Sequence, residues 1–246
     1  MELAPGRRRG VIAEPVACGM EAATPRIALI HATPLAVEPV QAAFQRYWPQ
    51  VRAMNLLDDS LAADRAHDGR LTDAMVQRFV DLALYAQRTG CSGILFTCSA
   101  FGPAIEAAGR ATGLPTLKPN EAMFEQALAL APRGGALQLG LVATFQASLP
   151  SMTEELQALA KQRQLRLTVR TAFVPGAMDD LAQGRAAEHH RKIAQGARSL
   201  AGCDAVMLAQ FSMAAALPIV QAEIACPVLS SPDCAVHALM RRMAQA

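Results

Sequence analysis

The residues best placed to do chemistry are Thr97-Cys98-Ser99-Ala100-Phe101-Gly102-Pro103, which directly follow the short apolar run Ile94, Leu95 and Phe96. Gly90 and Gly93 precede that run, which has the composition of a strand buried on both faces, and Pro103 stands where a following helix begins. The pattern predicts strand, tight turn, helix. Cys98 then lies at the carboxyl end of the strand, with the amides of Ser99, Ala100 and Phe101 free to point at a ligand near a helix N-terminus. A thiol so placed has a physical reason to ionise below its usual range near ~8.5 and to act as acid, base or nucleophile.

The stretch recurs. Gly202-Cys203-Asp204-Ala205-Val206-Met207-Leu208-Ala209-Gln210-Phe211-Ser212-Met213 aligns beneath residues 90–101 without a gap, so that Gly90 matches Gly202, Cys91 matches Cys203 and Cys98 matches Gln210. A weaker pair, residues 27–33 and 138–144, sets Thr33 against Thr144. Two strands spaced alike in each half predict a duplicated α/β unit. Buried parallel strands resemble one another in any case, an objection that weighs on the weaker pair and much less on the Gly-Cys pair.

The elements that must position these residues alternate along the chain. Strands are expected over 27–30, 51–57, 94–96, 114–117, 139–144, 166–174, 205–208 and 227–229. Helices are expected from Pro39, from Met75 through Phe79 and Leu82 to Ala86, over 105–111 closed by Gly113, after Asn120 as N-cap, over 152–164, over 188–200 and over 234–243. Two polar stretches, 58–69 and 176–184, read as loops, the first as apt to be solvated as to cover a site. Short connections between alternating strands and helices argue for an α/β fold of two pseudo-symmetric lobes. Each has a mostly parallel sheet flanked by helices, with an active-site cleft between the lobes. Ligands bind outside the carboxyl ends of such strands, where Thr33, Cys98, Thr144 and Gln210 would converge. The expected division is an N-terminal extension over 1–24, a first lobe over 25–118 completed by 215–246, and a second lobe over 119–214.

Composition narrows the function classes. The chain has 246 residues, 52% hydrophobic and 18% charged, with a formal net charge of +2. It is globular, and nothing in its charge calls for nucleic acid: Arg7-Arg8-Arg9 and Arg241-Arg242 lack interleaved aromatics. Six cysteines without a CxxC pair or a secretory signal read as reduced, cytoplasmic thiols. Cys91 and Cys203 read as packed, and Cys18, Cys226 and Cys234 show no metal pattern. No apolar run is long enough to span a bilayer, residues 1–24 have no apolar stretch behind their arginines, and Met20 is an alternative start. His189 and His190 are adjacent on a helix and do not share a face, which argues against a metal pair. His67 falls in the first polar loop, His237 on the last helix, and His31 beside the proposed cleft. Met240 and Met243 read as core or subunit contact. Gly134-Gly135 lacks the context of a phosphate loop.

The strand-end Thr97-Cys98-Ser99-Ala100-Phe101-Gly102, the strand Gly140-Leu141-Val142-Ala143-Thr144 and the repeat over 203–213 resemble the aspartate/glutamate/hydantoin racemase superfamily, which also contains maleate isomerases and arylmalonate decarboxylases. The resemblance covers about residues 25–240. It implies that two cysteines at pseudo-symmetric strand ends flank the α-carbon of a small carboxylate substrate, one removing a proton and the other returning one, with neither metal nor cofactor. Cys98 matches the first of them. Oriented amides and hydroxyls must stabilise the enediolate, a role open to Ser99, Ala100, Thr33 and Thr144. Lys118 would pair with a carboxylate if it is not simply a surface lysine. A homodimer would suit the family.

The sequence departs from the family pattern where it matters most. Gln210 stands in place of the second cysteine; it can hydrogen-bond but cannot donate a proton. Phe211 and Ser212 follow, Ser212 being the nearest hydroxyl. The family's one-cysteine decarboxylases carry theirs at the second position. Cys98 alone could still protonate an enediolate left by carbon dioxide, or add to a double bond as a nucleophile. Racemase or epimerase is the default expectation, single-thiol decarboxylase or cis-trans isomerase the alternative, and a non-catalytic carboxylate-binding protein the third. His31 is either the missing proton donor or a satisfied strand-end histidine. Phe96, Phe101, Phe145 and Phe211 suggest an apolar substituent on the substrate as readily as they suggest core packing.

Overall fold

The computed structural model describes residues 24–132 and 135–244. The expectations for Arg7 to Arg9, Cys18, Met20, Gly134 and the extension up to residue 23 lie outside the described residues. Strands β1 (Arg26–His31), β2 (Arg52–Leu57), β3 (Gly93–Phe96) and β4 (Thr116–Leu117) form one parallel sheet in the order β2-β1-β3-β4. Strands β5 (Ala136–Ala143), β6 (Arg166–Phe173), β7 (Ala205–Leu208) and β8 (Val228–Ser230) form a second in the order β6-β5-β7-β8, also parallel.

The two sheets repeat bond for bond. The amide of Ile94 donates to Pro115 O and that of Val206 to Pro227 O, both at 2.9 Å. Ser92 donates to Arg26 O and Asp204 to Gln138 O, both at 2.7 Å. Thr97 donates to Ile30 O at 3.1 Å, and Ala209 to Val142 O at 2.9 Å. In every pair the second residue lies 112 positions after the first, the spacing that matches Cys98 with Gln210. The weaker match is corrected by one residue: this register sets Ala32 against Thr144 and Thr33 against Phe145. In a strand such a slip moves a side chain to the opposite face, so Thr33 and Thr144 are not symmetry mates.

Each strand is sorted by its two-residue period. Ala28, Ile30, Ile94 and Phe96 face Phe79, Ala83 and Ala86 of α3 (Asp73–Arg88) and Ala104, Ile105 and Ala108 of α4 (Gly102–Thr112). Val142, Val206 and Leu208 face Ile193, Ala194 and Ala197 of α8 (Ala186–Ala197) and Val220 of α9 (Leu217–Glu223). The opposite faces share one core, in which Leu29, Leu95, Leu141 and Met207 meet α1 (Val37–Tyr47), α5 (Glu121–Leu128), α6 (Leu149–Gln162) and α10 (Ser231–Met243). The lobes are therefore joined by a continuous apolar interior.

Both expected loops contain helices. Ser60–Asp68 forms α2, ended by left-handed Gly69, with Arg78 on α3 paired to Asp58 at 2.5 Å and to Asp64 at 2.6 Å. Ala177–Ala182 forms α7 between left-handed Gly176 and Gly184. Polar surface turns with one apolar anchor each, Leu61 and Ala177, give too little period to show as helices. The stretch expected to complete the first lobe divides. Strand β8 pairs with β7 in the second sheet and α9 packs on α8, whereas α10 lies against α1 and α5. Asn120 occupies the N-cap position of α5 without capping it; its Oδ1 accepts instead from Ser231 Oγ of α10 at 2.6 Å.

Candidate active site

Strand β3 ends as the apolar run does, and a 3-10 turn, Ser99–Phe101, leads into α4. Cys98 sits between them, half-buried against the outer core of the first lobe, while Ser99 and Ala100 are exposed. Burial pushes the Cys98 thiol up, and the Ala100 amide pulls it back only in part. Burial therefore works against the ionisation expected of this thiol. Its neighbours supply no cation, and one amide does not outweigh lost hydration.

Gln210, at the same place in the second lobe, is committed to its own lobe. Its Oε1 accepts from the Thr144 amide at 2.9 Å and the Thr144 hydroxyl at 3.3 Å, and its Nε2 donates to Ser148 Oγ at 3.0 Å. It ties the end of β7 to the turn after β5. Thr33 is likewise employed locally, its Oγ1 accepting from the Leu35 amide at 3.4 Å.

His31 is a satisfied histidine. Nε2–H donates to Asn55 Oδ1 at 3.0 Å and the Thr97 hydroxyl donates to Nδ1 at 2.9 Å. Burial holds its pKa below the usual range, with the Asn55 bond opposing. Since Thr97 precedes Cys98, this chain braces the backbone that carries the thiol. The second lobe has Ala143 and Ala209 at the corresponding positions, so the brace belongs to the cysteine side alone.

The remaining residues divide between two cavities. Ser99 and Lys118 line a small one of about 60 Å³ with Gly102, Ile105, Asn120 and Glu155. Lys118 Nζ is paired with Glu106 at 2.5 Å, so a substrate carboxylate there would share the ammonium with it. Burial raises the Glu155 carboxyl despite the attraction of Lys118. Ser212 lines a larger cavity of about 450 Å³ between the lobes, which also touches Pro34, Leu35, Arg46, His190 and Asp233. Phe211, proposed as a contact, is 4% exposed and belongs to the shared core; Phe96 and Phe101 are fully buried. Only Phe145 of the four aromatics is open, at 52%. Ser148, Asn55, Glu155 and His190 were not foreseen. Asn55 and Ser148 meet His31 and Gln210 from distant parts of the chain, which local sequence does not show. Among the described residues no cluster of three or more His, Cys, Asp or Glu could hold a metal ion, and no helix is long and apolar enough to cross a membrane.

Residues 146–246 match the family model described as Asp/Glu/Hydantoin racemase. No curated protein matches the chain. Among solved structures, unliganded arylmalonate decarboxylase superposes with a TM-score of 0.60 at 20% identity, over 89% of this chain and 92% of that one. A glutamate racemase from Bacillus anthracis gives 0.65 at 15% identity, over 90% and 82%. The allantoin racemase from Klebsiella pneumoniae gives 0.64 at 18%, over 90% and 89%. The family model thus matches the chain from residue 146 onward, and the two-lobed fold of these solved structures runs through both of its halves.

Proposed function

We propose that the protein is a cofactor-independent enzyme that transfers a proton at the α-carbon of a small carboxylate, with Cys98 as the transferring group. The observation that carries this reading is the half-open thiol at the carboxyl end of β3, followed by the exposed Ser99 and Ala100 of the turn into α4. The amides of the exposed Ser99 and Ala100 are suited to the enediolate oxygens. The family description and the names of the structural neighbours supply the reaction class, of which racemisation or epimerisation is the default.

A specific observation favours single-thiol decarboxylation as the second reading. Gln210 carries no transferable proton and its side chain is already hydrogen-bonded, while burial favours the protonated form of Cys98. In decarboxylation the C–C bond to the carboxylate breaks, carbon dioxide leaves, and the electron pair forms the enediolate. The Cys98 S–H proton then forms the new C–H bond, and the thiolate is reprotonated by solvent. No second acid is required.

Proton NMR in deuterium oxide on amino acids, hydantoins, 2-aryl carboxylates and malonates decides between them, comparing wild type with Cys98→Ala. Wild-type-only α-deuteration with loss of optical rotation selects racemisation. Carbon dioxide release with one deuterium gained selects decarboxylation. Ligand binding without exchange in either protein would overturn the enzymatic reading and leave a carboxylate-binding module.

A further inference from the structure

The outer core of the second lobe holds two thiols where that of the first holds one. Cys203 is 5% exposed in the cluster it forms with Val206, Leu208 and Val220, and half-buried Cys226 packs against the same cluster. At the 112-residue spacing Cys203 corresponds to Cys91 and Cys226 to Leu114, and Leu114 packs against the cluster that contains Cys91. The place of a leucine in the first lobe is thus taken by a second thiol.

Strand register brings the two within bridging range. Val206 is the partner of Val228, and its amide donates to Pro227 O at 2.9 Å. Two residues before that rung stand Asp204 and Cys226, which leaves Cys203 one residue from the rung of Cys226. With strands about 4.8 Å apart and about 3.4 Å of rise per residue, the two Cα atoms lie roughly 6 Å from each other. A disulfide spans Cα separations of about 4.4–6.8 Å. The side chains also act on one another: burial raises the Cys203 thiol, Arg170 of β6 opposes the rise, and the charge of Cys226 adds to it.

We propose that Cys203 and Cys226 are an oxidation site, which a small disulfide reagent closes to an intramolecular bridge that staples β7 to β8. Exposure orders the chemistry, since a reagent reaches half-buried Cys226 and not Cys203. The Cys226 thiolate attacks one sulfur of the reagent, so that a mixed disulfide forms and one thiolate leaves. Cys203, ionising beside Arg170, then attacks the Cys226 sulfur; the protein bridge forms and the second thiolate leaves. The two cysteines lose two electrons, the reagent is reduced to two thiols, and the two protons released by the cysteines are balanced by those the leaving thiolates take up. The bridge lies at the amino ends of β7 and β8, opposite the end of β7 that carries Gln210. It closes a loop that contains β7, the turn Phe211–Ala216 and α9, and so restricts the unfolded chain.

The test incubates the full chain with oxidised glutathione at mildly alkaline pH, blocks the remaining thiols with N-ethylmaleimide and cleaves after Arg198, Glu223 and Arg241. The fragments 199–223 and 224–241 should be joined, about 2 Da lighter than their sum, with fragmentation placing the link at Cys203 and Cys226 and not at Cys234. The melting temperature should rise by about 4 °C or more and return when dithiothreitol is added. Cys226→Ser, a change at a half-buried position, should show neither link nor rise, whereas Cys91→Ser should show both. Unlinked fragments, a glutathione adduct on Cys226 that never resolves, a link to Cys234, or a bridge that leaves the melting temperature unchanged would each overturn the proposal.

Discussion

Cys98 and Cys234 make a contrast that chemistry can read. Both are raised by burial, Cys234 to about 12 within the shared core, whereas Cys98 is half-open at the strand end. Iodoacetamide should label Cys98 in the native protein, faster as pH rises, and leave Cys234 untouched until the protein unfolds; equal rates would contradict the placement of Cys98. Gln210→Ala should destabilise the fold by about 1–3 kcal/mol, since it leaves the Thr144 amide unpaired. The denaturation midpoint checks this. His31 sets a pH dependence of known sign. Its folded pKa is lowered, so below ~6.5 the unfolded chain takes up a proton before the folded one does, and stability is lost as pH falls. Melting temperature should drop between pH 7 and pH 5, and His31→Gln should flatten that slope. At this scale the sequence showed which side chains could react, because reactivity follows type and strand position. It did not show that Lys118 and Gln210 were already engaged, since Glu106 and Ser148 reach them only through the tertiary fold.

The β strands were legible because a strand buried on both faces is an unbroken apolar run between turn residues, as at 94–96 and 205–208. The two polar helices were not, since α2 and α7 bury almost nothing and are fixed by glycine ends and ion pairs made across the fold. The Gly90 and Gly202 match also hides a difference: Gly90 is left-handed at φ 77°, whereas Gly202 is not among the positive-φ glycines. Gly196 has another role. A Cβ there would lie 2.7 Å from Val174 Cγ2, so α8 can approach the end of β6 only through that bare position. Gly196→Ala should cost about 1–3 kcal/mol as overpacking. A melting temperature equal to wild type would show that Val174 can yield.

For the whole molecule, the repeat predicted two lobes, and the structure supplies their common interior. Because Leu29 and Leu141 belong to one apolar cluster, neither sheet is independently covered. Near- and far-ultraviolet circular dichroism should therefore report a single coincident unfolding transition. Two separated transitions would mean that the lobes are independent. The position of α10 has a consequence in time. The last described helix closes over α1, the first, with Leu239 reaching the Cβ position of Gly93 in β3. A chain emerging from the ribosome can pair its strands early, but the interior between the sheets stays open until residues 231–243 have been made. The two sheets cannot close on each other before those residues are in place, and until then the growing chain carries that apolar seam exposed.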